Sequence, residues 1–180
     1  MPSGKTHDAI TVILAVPTFA GAWGATANLW LAAAATCAML FGGFMFGPDL
    51  DIQSRQYARW GVFRFLWLPY RAMFRHRSRW SHGIIFGTLI RVVYFAVVLA
   101  LLAVAAVYLR AMLMDRAAAP GFASVIAAGR AIETGLKHYS GAASYTHLVW
   151  ACLGGVWWGA ASHTLTDVAW SVMRKGSEIF

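Results

Sequence analysis

The residues of this chain best suited to chemistry are imidazoles and carboxylates in four short runs. They are His7-Asp8, Asp49-Leu50-Asp51, the stretch His76 to His82, and His163-Thr164-Leu165-Thr166-Asp167. The last is an i,i+4 pair, so on a helix both side chains share one face. Asp49 and Asp51 can present both carboxylates together only where a helix has ended, and Gly47-Pro48 supplies that break. Carboxylates gathered in apolar surroundings repel one another. A divalent cation removes that repulsion and also uses histidine nitrogen. Mixed His/Asp ligation suits Zn best, with Mn or Fe next, whereas Ca and Mg prefer oxygen alone. His7, Asp8, Asp49, Asp51, His82, His163 and Asp167 are therefore the candidate metal ligands, Asp8 either as a ligand or as an orienting group. His76 is a further ligand or a general acid–base, and Arg77 is placed to neutralise a phosphate; these two are the candidate catalytic residues. The set exceeds the needs of one ion, so one or two ions are expected. Each run alone has a plainer reading. HxxxD is commonly a hydrogen-bonded pair, DxD is common in loops, and Asp8 suits a helix N-cap.

The elements that must position these residues are apolar helices. Of 180 residues 59% are hydrophobic and only 12% charged, about half the ~25% of soluble domains. This composition excludes a disordered chain, a disulfide scaffold and a typical cytosolic enzyme. It predicts an all-α, polytopic membrane bundle of about four transmembrane helices, forming a single domain over residues 1–180. Four apolar stretches carry the expectation, at about residues 9–24 (broken by Pro17), 28–46, 83–109 (with Arg91) and 146–170 (with His163 and Asp167). A span needs ~17–25 residues, so the first stretch is marginal and the others are long enough. Residues 24–28 are expected to form a tight turn. Ala25-Thr26-Ala27 has the form of a leader cleavage site, but the segment is read as a retained helix. Cys37 and Cys152 lie in apolar runs without metal-type spacing and are read as small buried hydrophobes.

Seven arginines lie between residues 48 and 82, which places that loop in the cytoplasm. With four spans both termini are then cytoplasmic, and residues 110–145 face the other side. On this topology all four polar runs reach the same membrane face. Both longer loops are expected to hold interfacial segments. Residues 57–74 interleave arginine with Trp60, Phe63, Phe65, Trp67, Tyr70 and Phe74, a composition suited to the headgroup zone, with an interruption at Pro69. Residues 122–137 place Val125, Ile132 and Leu136 on one helical face and pair Glu133 with Lys137. The net charge of +8 in so apolar a chain points to anionic lipid headgroups as partner, not nucleic acid.

Three of these runs also carry a resemblance. Residues 2–8 (Pro-Ser-Gly-Lys-Thr-His-Asp), 47–51 (Gly-Pro-Asp-Leu-Asp) and 76–83 (His-Arg-Ser-x-x-Ser-His-Gly) resemble a family of uncharacterised bacterial membrane proteins described as metal-binding. That family is similar in turn to the predicted metal-dependent hydrolases of bacterial inner membranes, which share an early His, an Asp-x-Asp, a His-Arg-x-x-x-His type motif and a late His-x-x-x-Asp. Two departures bring the chain closer to the metal-binding family: the His76–His82 spacing is longer than the hydrolase form, and Ser81 precedes His82 where the hydrolases place Ser after it. The resemblance implies an inner-membrane metal site and, through the hydrolases, cleavage of a phosphoester or lipid headgroup at the cytoplasmic face. The alternative is a non-catalytic accessory subunit, its helix ends tied by metal, in a larger membrane complex or homo-oligomer. Transport fits less well, because only Arg91 offers charge deeper in the spans.

Overall fold

The computed structural model describes residues 3–74, 83–114 and 145–177, with scattered positions between 123 and 135. Among the described residues every regular element is helical. Helix α1 (Gly4–Thr26) begins at Ser3, whose side chain accepts the Thr6 amide. The cap is therefore Ser3 and not Asp8, and His7 and Asp8 lie on the first turns of the helix rather than ahead of it. Ala27 turns left-handed at φ 49°, and Asn28 starts the next helix by accepting the amides of Trp30 and Leu31. This is the expected turn. Helix α2 (Leu29–Met45) has 17 residues, ~26 Å at ~1.5 Å per residue, and so falls short of a ~30 Å hydrocarbon core. The roles of the first two apolar stretches are thus reversed: α1, with 23 residues, is long and apolar enough to cross a membrane, and α2 is the short one. Pro17 is accommodated inside α1.

Residues 48–74 fold as four short pieces: a 3₁₀ turn at Pro48–Asp51, α3 (Arg55–Arg59), a 3₁₀ stretch at Gly61–Trp67, and α4 (Leu68–Met73). The expected interruption at Pro69 is the boundary between the last two pieces. Pro69 sits at the start of α4, where its missing N–H costs nothing. The long helices α5 (Phe86–Met114) and α6 (Tyr145–Ser177) complete the chain. Over residues 86–110, α5 is the second helix long and apolar enough to span. The Val125, Ile132 and Leu136 face and the Glu133–Lys137 pair lie outside the described residues.

Small residues let α2 and α6 come together. A Cβ on Gly155 would press on the Ala38 side chain and the Met39 amide, and one on Gly159 on the Gly43 amide and the Met39 carbonyl. Gly155 meets residues 35–39 and Gly159 residues 39–43, so α2 and α6 run parallel, while α1 runs antiparallel to both. Trp158 on α6 donates to Thr18 of α1 at 3.1 Å, and Gly43 of α2 leaves no space beside Thr11 of α1. The first turns of α1, the C-terminal end of α2 and the His163 turn of α6 therefore meet at one end of the bundle.

A second packing unit sits at the same end. Phe46, Leu50, Tyr57, Trp67 and Tyr70 form a buried cluster, and α5 packs against it through Tyr94 and Phe95. Trp67 stacks on Phe95, with rings 5.7 Å apart and 5° from parallel, and the Tyr94 hydroxyl donates to the Leu66 carbonyl. Trp67 and Tyr70 are fully buried and Tyr57 nearly so, which corrects the expectation that all the aromatics of this segment face headgroups. Their rings fill the gap between α5 and the end of α2, where burying ~150–250 Å² each outweighs an interfacial position.

Candidate metal centre

The last carbonyls of α2 have no partner within their own helix. Three side chains from the next fifteen residues supply one each: Gln56 Nε2 donates to Gly43 O at 3.0 Å, Arg59 Nη1 to Phe44 O at 3.0 Å, and Trp60 Nε1 to Met45 O at 3.0 Å. This lashing holds α3 against the end of α2 and carries Gln56 inward. Gly47 makes it feasible, because the Gln56 amide occupies the space a Cβ would need.

Around this junction the sequence-distant polar residues converge. His7 on α1 and His163 on α6 stack face to face, with ring centroids 3.7 Å apart and planes 7° from parallel. Both are buried. His7 Nε2 lies 3.2 Å from Asp167 Oδ1, and His163 Nε2 lies 3.9 Å from the other Asp167 oxygen. One ligand atom from each of His7, His163 and Asp167 falls within 4.8 Å of the other two. Asp49, from the 3₁₀ turn after α2, approaches His163 Nε2 to 3.5 Å. On its other side the His163 ring meets Gln56 Nε2 through Nδ1, at 3.2 Å.

This donor set fits a divalent transition metal. His163 Nε2 is fully buried without a hydrogen-bond partner although two carboxylates stand close by, a costly arrangement that a shared cation resolves. Two imidazole nitrogens and a carboxylate are also the ligand types of catalytic Zn sites, which keep a further position open.

Not every expected ligand joins the group. Asp8, one residue beyond His7, is turned ~100° around α1. It pairs with Arg59 at 2.6 Å and Arg55 at 3.2 Å, so it ties α1 to α3 and stands apart from the His7, His163 and Asp167 group. Asp51 diverges from Asp49 because two residues along a three-residue turn point to different sides. It is buried and interacts electrostatically with Arg91 and Tyr70. Burial pushes the Tyr70 phenol up, and the neighbouring Arg91 guanidinium opposes that rise. His76, Arg77 and His82 lie outside the described residues.

Gln56, Arg59 and the glycine contacts are functional features that the residue reading above does not contain. Gln56 and Arg59 have no local signature, since their role depends on which helix end they meet. The glycines do have one: Gly155 and Gly159 are spaced as the small-xxx-small pattern of close helix pairs.

Comparison with known proteins agrees with a metal site. Residues 2–176 match the family described as uncharacterized metal-binding protein (DUF2227), and the chain belongs to that family. An uncharacterized protein of Aquifex aeolicus is 39% identical over 56 residues, which are 31% of this chain and 39% of that protein. The chain thus spans well under half the length of this relative. No solved structure matches.

Proposed function

We propose that this chain is an integral membrane protein that binds a divalent transition metal through His7, His163 and Asp167 and hydrolyses a phosphoester at the inner leaflet of a bacterial inner membrane. The carrying observation is the stacked, buried histidine pair with Asp167 beside it, assembled from opposite ends of the chain. When bound, the cation would polarise a phosphoryl oxygen and activate a water near neutral pH. Asp49, 3.5 Å from His163 Nε2, is placed to take the proton of that water. Gln56 orients the His163 ring, and the junction between α1, α2 and α6 excludes solvent behind the two imidazoles.

The membrane placement is supported by α5. None of its apolar window is buried within the chain, and soluble proteins do not leave an apolar surface of that extent in water. With α2 as a short crossing and α1 and the first part of α6 as the others, a four-crossing arrangement would have both termini and the histidine pair in the cytoplasmic half. Zn is the expected metal, one ion in the described ligand set and a second if His76 and His82 join it.

A second reading is favoured by the origin of the ligands. They come from α1, α6 and the turn after α2, so a metal there also staples three elements, as it would in a non-catalytic subunit. Elemental analysis of the purified protein, with phosphoester hydrolysis measured on the same samples, separates the two. Wild type should hold at least one ion per chain, and His163→Ala and Asp167→Asn should lose it. Asp49→Asn should keep the ion and lose hydrolysis. Metal bound without hydrolysis of phospholipids or water-soluble phosphoesters leaves the staple; absence of metal from wild type overturns both.

A further inference from the structure

A cleft of about 550 Å³ lies along the 48–74 segment. Its charged lining is Arg64 and Arg71, its polar lining includes Ser54 and Tyr57, and no acidic residue lines it. Arg71 is held in place: its Cζ stacks 4.5 Å over the Tyr57 ring, and its Nε donates to the Asp51 carbonyl at 3.4 Å. The rim is apolar and outward-facing. Val62 is 79% exposed, and Phe65 and Leu68 are each more than half exposed.

We propose that this cleft is a binding site for the headgroup of an anionic phospholipid, with Arg64 and Arg71 on the phosphate and the Val62, Phe65 and Leu68 rim among the upper acyl chains. Three observations point to a lipid and not to a soluble anion. A free phosphoester would need the two arginines but would gain nothing from three exposed apolar side chains on the same edge. Those side chains lie at the end of the bundle where α2 stops and α5 begins, which is the level of the headgroups in the membrane placement above. The volume, within the ~300–1,000 Å³ of ordinary ligand sites, takes a headgroup with its glycerol and is larger than a bare phosphate requires. Arginine is suited to the task because its planar donors grip phosphate oxygens while its stem packs on apolar surface. The cleft meets the metal centre through the 3₁₀ turn: Arg71 bonds the carbonyl of Asp51, and Asp49 two residues earlier faces His163. A lipid held here lies next to the metal centre. The site rests on the membrane placement proposed above and not on the metal.

The test is lipid retention. The full chain is reconstituted in nanodiscs containing phosphatidylcholine and phosphatidylglycerol, released into the gas phase, and the lipids that stay bound are identified by native mass spectrometry. Two arginines near an anionic headgroup correspond to a preference for phosphatidylglycerol of roughly tenfold to thirtyfold. Arg64→Gln with Arg71→Gln should bring the preference close to unity while leaving metal content unchanged. Val62→Asp, at an exposed rim position where folding is not at stake, should lower it as well. His163→Ala should lose metal yet keep the lipid preference, so failure of the metal reading and failure of this site are told apart. Equal retention of the two lipids by wild type, or a preference untouched by the arginine pair and by Val62→Asp, overturns the proposal. So does displacement of the lipid by excess glycerol phosphate, which would make the cleft a site for a soluble phosphoester.

Discussion

Gly159→Ala adds one methyl group at the contact that sets the spacing of α2 and α6. Its Cβ would lie 2.6 Å from the Gly43 amide nitrogen and 2.9 Å from the Met39 carbonyl carbon. These are backbone atoms and cannot rotate away. The Met39 carbonyl oxygen lies closer still, so to restore an ordinary 3.4 Å contact the helices must part by more than about 1 Å at that point. His163 is one turn further along α6, so its ring moves with the helix, away from His7 and Asp49. Overpacking of this kind costs ~1–3 kcal/mol. Metal sites tolerate only ~0.2 Å in ligand distance, so affinity should fall at least about tenfold. Gly154→Ala is the internal control, since nothing lies within 4 Å of a Cβ there. Thermal unfolding in detergent micelles and metal titration of both variants are the assays. Gly159→Ala should melt lower and bind metal more weakly, whereas Gly154→Ala should match wild type or gain slightly from helix propensity. If the two variants behave alike, the close approach of α2 and α6 does not position the site, and the reasoning is refuted.

Arg59→Met removes the contacts to Asp8 and to the Phe44 carbonyl together. Both partners are less than one-third exposed, so a loss of ~1–3 kcal/mol is expected in the same unfolding assay, against less than ~0.5 kcal/mol if the pair acts as an ordinary surface bridge. Tyr70 gives a pH signature. Its phenol holds its proton more tightly in the folded chain than at the ordinary value of 10.0. The folded state then binds more protons than the unfolded one above that value, so this stabilisation is intact below about pH 10 and is lost as pH rises further. Melting temperatures between pH 9 and 11.5 should decline more steeply in wild type than in Tyr70→Phe; parallel curves would show that Tyr70 contributes nothing to the decline.

Much of the site was legible in residue types alone. The i,i+4 spacing of His163 and Asp167 needs only the geometry of one helix, and Gly47-Pro48 announces the end of α2 just before Asp49. Those are local properties, and they survive into the structure. Asp8 and Asp51 were harder to place. Each sits one or two residues from a residue that does reach the histidine pair, and a turn of ~100° or more about the local axis sends it to an arginine instead. Sequence proximity does not reveal that rotation, because the arginines that take them, Arg59 and Arg91, come from other elements. Likewise the aromatic run at 57–74 announces an amphipathic surface, but which rings are covered depends on where α5 lies.

Composition and hydrophobic patterning by themselves determined that the chain is helical and that its helices are apolar along most of their length. Those follow from local terms: helix periodicity, capping by Ser3 and Asn28, and the break at Gly47-Pro48. Only the tertiary structure decided that His7 stacks on His163, that Asp49 and not Asp51 faces them, and that Gln56 completes the setting. The reason is that these contacts join residues 107 to 156 positions apart, and their geometry is set by how closely two backbones approach at Gly43 and Gly159, a distance that no stretch of one helix encodes.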